Sequence, residues 1–284
     1  MIGVYDSGFG GLDVLRHLRA ALPRRDFVYL GDSGRAPYGG RDAHTILDFA
    51  EQAVERLFEE GCRLVVVACN TVSCVALRHL QQRYCGPGSD RRILGVTIPG
   101  AELATRESSG HIGIIATRRT VESGTWVAEI AKLGSHRVTQ LATPLLAPIV
   151  EEGWERSDLA LLAVEQYLAR LPGIDTLLLG CTHYPLLLPV LQVKIPTGVT
   201  VLDPAPWVAG RTMDWLQRHP GFDEENPADR GTLRVLCTGD PEHFATHGAR
   251  FLGTPMPWVE HVAEVAGRLA HRDPGDAPRG QVVR

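Results

Sequence analysis

The chain has no surplus of positive charge. Its 284 residues carry 29 Lys and Arg against 33 Asp and Glu, a net charge of −4, so nothing electrostatic favours nucleic acid as a partner. No apolar run approaches the roughly 20 residues of a membrane span. Asp6 interrupts the N-terminus before a segment of signal length develops, so a cytoplasmic protein without membrane association is expected. Cysteine is sparse: six, at positions 62, 69, 74, 85, 181 and 237, with no Cys-x-x-Cys and no zinc spacing. A disulfide framework is not expected in a cytoplasmic chain of this size. Cys62, Cys74, Cys85 and Cys237 read as small buried hydrophobes. Nucleotide signatures are missing as well. The stretch "IGVYDSGFGG" at Ile2 runs from apolar residues into glycines, but Gly8, Gly10 and Gly11 make no G-x-G-x-x-G, and no Lys-Ser/Thr follows. Asp6 at the mouth of that loop would repel a phosphate. What remains is 44% hydrophobic and 22% charged, the balance of a soluble globular protein long enough for one large domain or two ordinary ones.

Short apolar runs alternate with longer amphipathic stretches. Runs at 2–5, 27–30, 64–68, 93–96, 112–116, 176–179, 199–202 and 233–237 lack polar alternation, which suits a parallel sheet covered on both faces by helices. Helical patterns lie between them, among others at 43–60, 73–83, 120–133 and 158–171. The fold class is α/β. The chain also repeats itself. "IGVYDS" at Ile2 resembles "IGIIAT" at Ile112, an offset of 110, and "LVVVACNT" at Leu64 resembles "TLLLGCTH" at Thr176, an offset of 112. A duplicated α/β unit accounts for both. The expected domains are residues 1–96 together with 207–271, and residues 97–206. The stretch after 206 belongs to neither copy and is expected to return to the first domain. The tail 272–284, rich in Pro, Gly and charge, is expected to be disordered.

Each copy puts a hydroxyl residue (Ser7, Thr117) and a cysteine (Cys69, Cys181) just past a buried strand. Ligands of open α/β sheets bind outside the carboxyl ends of strands, so two facing copies surround a cleft with one thiol on each wall. Each cysteine also opens a turn into a helix, where backbone N–H groups are expected to lower its pKa from about 8.5 toward neutrality. A single activated thiol would point to nucleophilic catalysis with a histidine base. Two thiols in matching places point instead to proton transfer on both faces of one carbon, the way a stereocentre is inverted without a cofactor or metal. Asn70 with Thr71, and Thr182 with His183, follow the two cysteines and are suited to holding a ligand carboxylate.

"GVYDSGFGGLDVL", "GDSGRAPYGGR", "VVACNTVS", "IIATRRTVESG", "PIVEEG" and "LLLGCTHYPLL" resemble, in order and spacing, the glutamate racemase family from residue 2 to about residue 253. The resemblance implies a cofactor-independent isomerase that interconverts L- and D-glutamate and supplies D-glutamate for bacterial peptidoglycan. Cys69 and Cys181 would be the two bases. Asp6 and Ser7 would contact substrate, with Asp6 also assisting Cys69. Tyr38 with Gly39, Asn70 with Thr71, Thr117, and Thr182 with His183 would hold the amino acid. Asp32, Glu151 and His183 match polar groups that assist the bases. A homodimer is implied by the same analogy. Thr143 stands where the family commonly has cysteine, and Ile98 where many members carry an acid; neither touches the two-thiol core. Rival readings are a racemase of aspartate or of a hydantoin, a one-thiol decarboxylase, and a non-catalytic binding protein. The intact thiol pair argues against the last two.

Overall fold

The computed structural model describes residues 1–271, so the tail from 272 lies outside the described residues. The first copy runs β1 (Ile2–Asp6), α1 (Gly11–Ala21), β2 (Phe27–Gly31), α2 (Ala43–Glu59), β3 (Leu64–Val67), α3 (Asn70–Val75), α4 (Leu77–Tyr84) and β4 (Arg92–Gly95). Helix α5 (Thr97–Glu107) leads into the second copy, which runs β5 (His111–Ala116), α6 (Arg118–Glu122), α7 (Thr125–Ala131), β6 (Arg137–Ala142), α8 (Leu146–Glu151), α9 (Asp158–Leu168), β7 (Thr176–Gly180), α10 (Leu188–Lys194) and β8 (Thr200–Leu202). After α11 (Ala205–Arg218) come β9 (Leu233–Cys237), α12 (Pro241–Leu252), β10 (Val259–Val265) and β11 (Arg268–His271).

The strands form two sheets, ordered β11-β10-β9-β2-β1-β3-β4 and β6-β5-β7-β8. All pairings are parallel except the β10–β11 hairpin. The order β2-β1-β3-β4 in the first is repeated as β6-β5-β7-β8 in the second. Register repeats too: Ile2 pairs with Leu64 and Ile112 with Thr176, the same offsets of 110 and 112 that the sequence shows. Strands β1, β2, β3 and β7 are buried at every residue, as central parallel strands under helices must be.

Two expected helices are each broken. The pattern at 73–83 divides at Ala76, whose φ of −110° and ψ of −21° are helical in sense but distorted from a regular α-helix. The pattern at 120–133 divides at Gly124, which takes φ 66°, a left-handed conformation that glycine adopts without steric cost. Strands β6, β10 and β11 were not among the expected ones. β6 lies at a sheet edge and is mostly half-exposed, while β10 and β11 carry charged residues on an exposed face.

Candidate active site

The carboxyl ends of β1, β3, β5 and β7 bring the predicted residues together from both copies. At the end of β1 the chain turns sharply: the Gly8 N–H donates to Asp6 Oδ1 at 2.9 Å, and the Tyr29 hydroxyl donates to the Gly8 carbonyl at 2.8 Å. This holds Ser7 3.4 Å from the Cys69 sulfur at the start of α3. The other oxygen of Asp6 is reached from the opposite copy, where Thr182 donates its hydroxyl at 3.3 Å. Close approach requires glycine here. A Cβ at Gly10 would lie 2.3 Å from Thr182 Oγ1 and 2.8 Å from His183 Nδ1. So the glycines of the first loop seat the second copy, which gives them a role unrelated to phosphate.

Past β7, Cys181 Sγ lies 3.7 Å from His183 Nδ1, and His183 Nε2 lies 3.0 Å from Glu151 Oε1 at the end of α8. Burial works against a charged imidazole. The Cys181 sulfur and the Glu151 carboxylate outweigh it and hold the His183 pKa well above its ordinary value. Burial likewise opposes ionisation of Glu151, but its hydrogen bond to His183 and the charges of His183, His247 and His243 leave its pKa below the usual range. The chain of contacts from thiol to imidazole to carboxylate ends at a side chain 35% exposed.

Cys69 departs from expectation. The Val72 N–H and the Ser7 hydroxyl do favour its thiolate, yet burial comes first and the Asp6 charge adds to it, so the thiol is pushed up to about 12. One short helix start does not outweigh removal of a thiolate from water. Burial also pushes the Asp6 carboxyl up, against the pull of His183 and of its backbone and Thr182 hydrogen bonds. Cys69 and Cys181 are close enough for the charge of one to act on the other.

Thr71 and Thr117 meet across the two copies at 2.9 Å, and Thr120 completes a triangle at 3.2 and 2.9 Å. Gly39 packs on Thr117, where an added Cβ would be 2.9 Å from Thr117 Cβ. Asp32 stands apart. Its carboxylate takes Arg35 Nε at 2.8 and 2.9 Å, Thr238 Oγ1 at 2.6 Å and the Tyr38 hydroxyl, and its hydrogen bonds run to neither thiol. Tyr38 joins it to Tyr5, hydroxyl to hydroxyl at 3.0 Å. Sequence reasoning passed over Tyr5, Tyr29, Arg35 and Thr120. Tyr5 and Tyr29 sat inside apolar runs and Arg35 in a glycine-rich loop, and only the spacing of Thr117 and Thr120, that of a helix N-cap and the N–H it accepts, could have signalled the last. Thr143, buried, bonds the Tyr184 hydroxyl at 2.8 Å behind Cys181.

A cavity of about 10 Å³ touches Cys181, Thr182, Asn70 and Asp13 but not Cys69, room for about one water. Asn70 Oδ1 is buried there without a hydrogen-bond partner. Among the described residues, the titratable group close enough to hold a metal ion is Asp13, His17 and Asp203, of which Asp13 and Asp203 share that cavity with Cys181.

Two thiols on matching strand ends, with acid and imidazole partners and no nucleotide cradle, define a site for proton transfer at carbon. The chain belongs to the Asp/Glu/Hydantoin racemase family, whose description matches residues 10–211. It is similar to the glutamate racemase of Chlorobaculum parvum, 38% identical over 266 residues that cover 92% of this chain and 95% of that one. Two solved glutamate racemases share the fold. The Thermus thermophilus structure, in complex with β-chloro-D-alanine, is 37% identical with a TM-score of 0.80 and covers 92% of this chain and 96% of its own. The Francisella tularensis structure, in complex with D-glutamate, is 29% identical with a TM-score of 0.84 and covers 92% and 97%. These likenesses extend over both sheets.

Proposed function

We propose that this protein interconverts L- and D-glutamate by a two-base mechanism in which Cys69 and Cys181 work on opposite faces of Cα. The observation that carries this reading is the pair of sulfurs at equivalent places after β3 and β7, each within the electrostatic reach of the other. One thiolate takes the α-proton, the opposite thiol returns a proton to the other face, and the roles exchange with the handedness of the substrate. Substrate itself corrects the high pKa of Cys69. An ammonium group set against Asp6 brings positive charge beside that sulfur and offsets the cost of burying two anions. Asn70, Thr71, Thr117 and Thr182 offer amide and hydroxyl groups for two carboxylates. His183, held by Glu151, carries the proton that Cys181 gains or loses. Asp32 acts at one remove, by fixing Tyr38 beside Tyr5.

Residues 1–96 with 207–271, and 97–206, are the two domains, and they close over glutamate where Thr182 meets Asp6 and Thr117 meets Thr71. The family resemblance supports a cytoplasmic homodimer that supplies D-glutamate for peptidoglycan; symmetric dimers are the commonest oligomers. Circular dichroism of L- and D-glutamate, of aspartate and of a hydantoin tests the substrate. Inversion of both glutamates and of neither alternative is expected, and inversion of aspartate or hydantoin instead would overturn the assignment. Dialysis against a chelator, with an absorbance scan for pyridoxal phosphate, should leave activity unchanged.

A further inference from the structure

A second polar cluster lies behind the thiols. Asp13 and His17 are one turn apart on α1, and Asp203 follows β8 in the opposite copy. Their ligand atoms all lie within 4.8 Å of one another. Asp13 is only 5% exposed, yet its Oδ2 has no hydrogen-bond partner. The same small cavity is lined by Asp13, Asp203 and Asn70, whose own amide oxygen is also unpartnered. Arg16 donates to Asp13 Oδ1 and the Ala205 N–H to Asp203 Oδ1 at 2.9 Å, which leaves Asp13 Oδ2 and the Asn70 amide oxygen buried without a donor, an arrangement that a cation would complete.

We propose that Asp13, His17 and Asp203 form a divalent-cation site that staples α1 to the turn after β8, joining the two copies behind the active site. Two carboxylates and one imidazole with open positions suit a first-row ion that accepts oxygen and nitrogen ligands. Arg16 now holds Asp13 Oδ1 and touches His17 Nε2 at 3.3 Å. Its side chain is 48% exposed and is free to swing out when an ion enters. The ion takes no part in the proton transfers.

Mn²⁺ is the probe, because softer ions would be drawn to the six thiols. Titration of the full chain, read by the paramagnetic resonance signal of free Mn²⁺, should show one ion bound per chain. Asp203→Asn and His17→Ala should each weaken binding about tenfold or more, and His17, being partly exposed, is a change that the fold tolerates. Arg16→Ala should tighten binding by removing a competing cation. No uptake below about 1 mM, a dissociation constant corresponding to only about −4 kcal/mol, would overturn the proposal and leave the cavity to a water and a shared proton. Binding unchanged in both ligand variants, or weakened by Arg16→Ala, would overturn it too.

Discussion

Cys69 and Cys181 occupy the same place in two copies of one motif, but the groups around them differ. Where the first copy has Asp6, the strand β5 of the second ends in Ala116; where the first has Thr71, the second has His183. Cys69 therefore faces a buried carboxylate, and Cys181 a hydrogen-bonded imidazole. Duplication supplied two thiols, and a few substitutions beside them made their electrostatics opposite. In the mechanism we propose, one base is set against negative charge and waits for the substrate ammonium. The other carries its own proton partner, linked through Glu151 to the surface. The reaction is symmetric in its substrates, but the catalyst is not.

The most severe way to break this comparison is to remove either thiol. Cys69→Ser and Cys181→Ser should each lower racemisation by about 10³-fold or more, since serine is too weak an acid for the relay. Each should still eliminate a β-leaving group from one enantiomer of a suitable analogue, and the two variants should choose opposite enantiomers. A shared preference would refute facing thiols. Next come the unequal partners. Asp6→Asn and His183→Asn should cost about 10²-fold in kcat/KM, equally in both directions, because the enantiomers have equal free energy. On our proposal, following the family resemblance, Cys69 takes the proton of D-glutamate and Cys181 that of L-glutamate, so the difference should appear with α-deuterated substrate: Asp6→Asn raises the isotope effect on D-glutamate, and His183→Asn that on L-glutamate. The reverse pattern would exchange the two thiols' assignments.

Glu151→Gln is milder, about tenfold in kcat. The His183 pKa is raised in the folded protein, so its contribution to stability is whole below about 6.5 and is lost as pH rises through the raised value. Without Glu151 that upper limit falls, and the alkaline limb of kcat should move to lower pH. A limb that does not move would detach Glu151 from the imidazole. Smallest of all, Thr120→Val removes a corner of the hydroxyl triangle between the copies. Thermal unfolding should report a loss of about 1 kcal/mol, with elimination chemistry at each thiol retained.

Much of this was legible in the sequence because parallel strands buried on both faces leave continuous apolar runs, and a repeated run carries its loop with it. The pairing of Cys69 with Cys181 could thus be read from two offsets. Strand β6 could not, for its "RVTQLA" has neither a continuous apolar run nor a clean alternation and lies half-exposed at an edge; only the counterpart relation to β2 makes sense of it. The acidity of Cys69 was misjudged for a physical reason. A helix start is visible in sequence, whereas the depth of burial and the approach of Asp6 depend on packing between distant segments. Asp32 shows the same limit in part: Arg35 and Tyr38 lie close by in sequence, but Thr238 joins them only when β9 returns beside β2. Glu151 was visible as an acid in "PIVEEG", but its contact with His183, 32 residues away, was not.

Gly10 sits in the first copy, but the space its absent side chain leaves is filled by Thr182 and His183 of the second. Gly39 and Thr117 repeat the arrangement at another point of contact. Once two ancestral units were joined in one chain, neither could drift alone at these positions. A methyl at residue 10 is tolerable only if residues 182 and 183 give way, so inheritance there works on pairs. Gly10→Ala should therefore lower kcat by displacing Thr182 and His183 of the other copy, and in the double variant with His183→Asn the two losses should fall short of additive, because both act through the same imidazole.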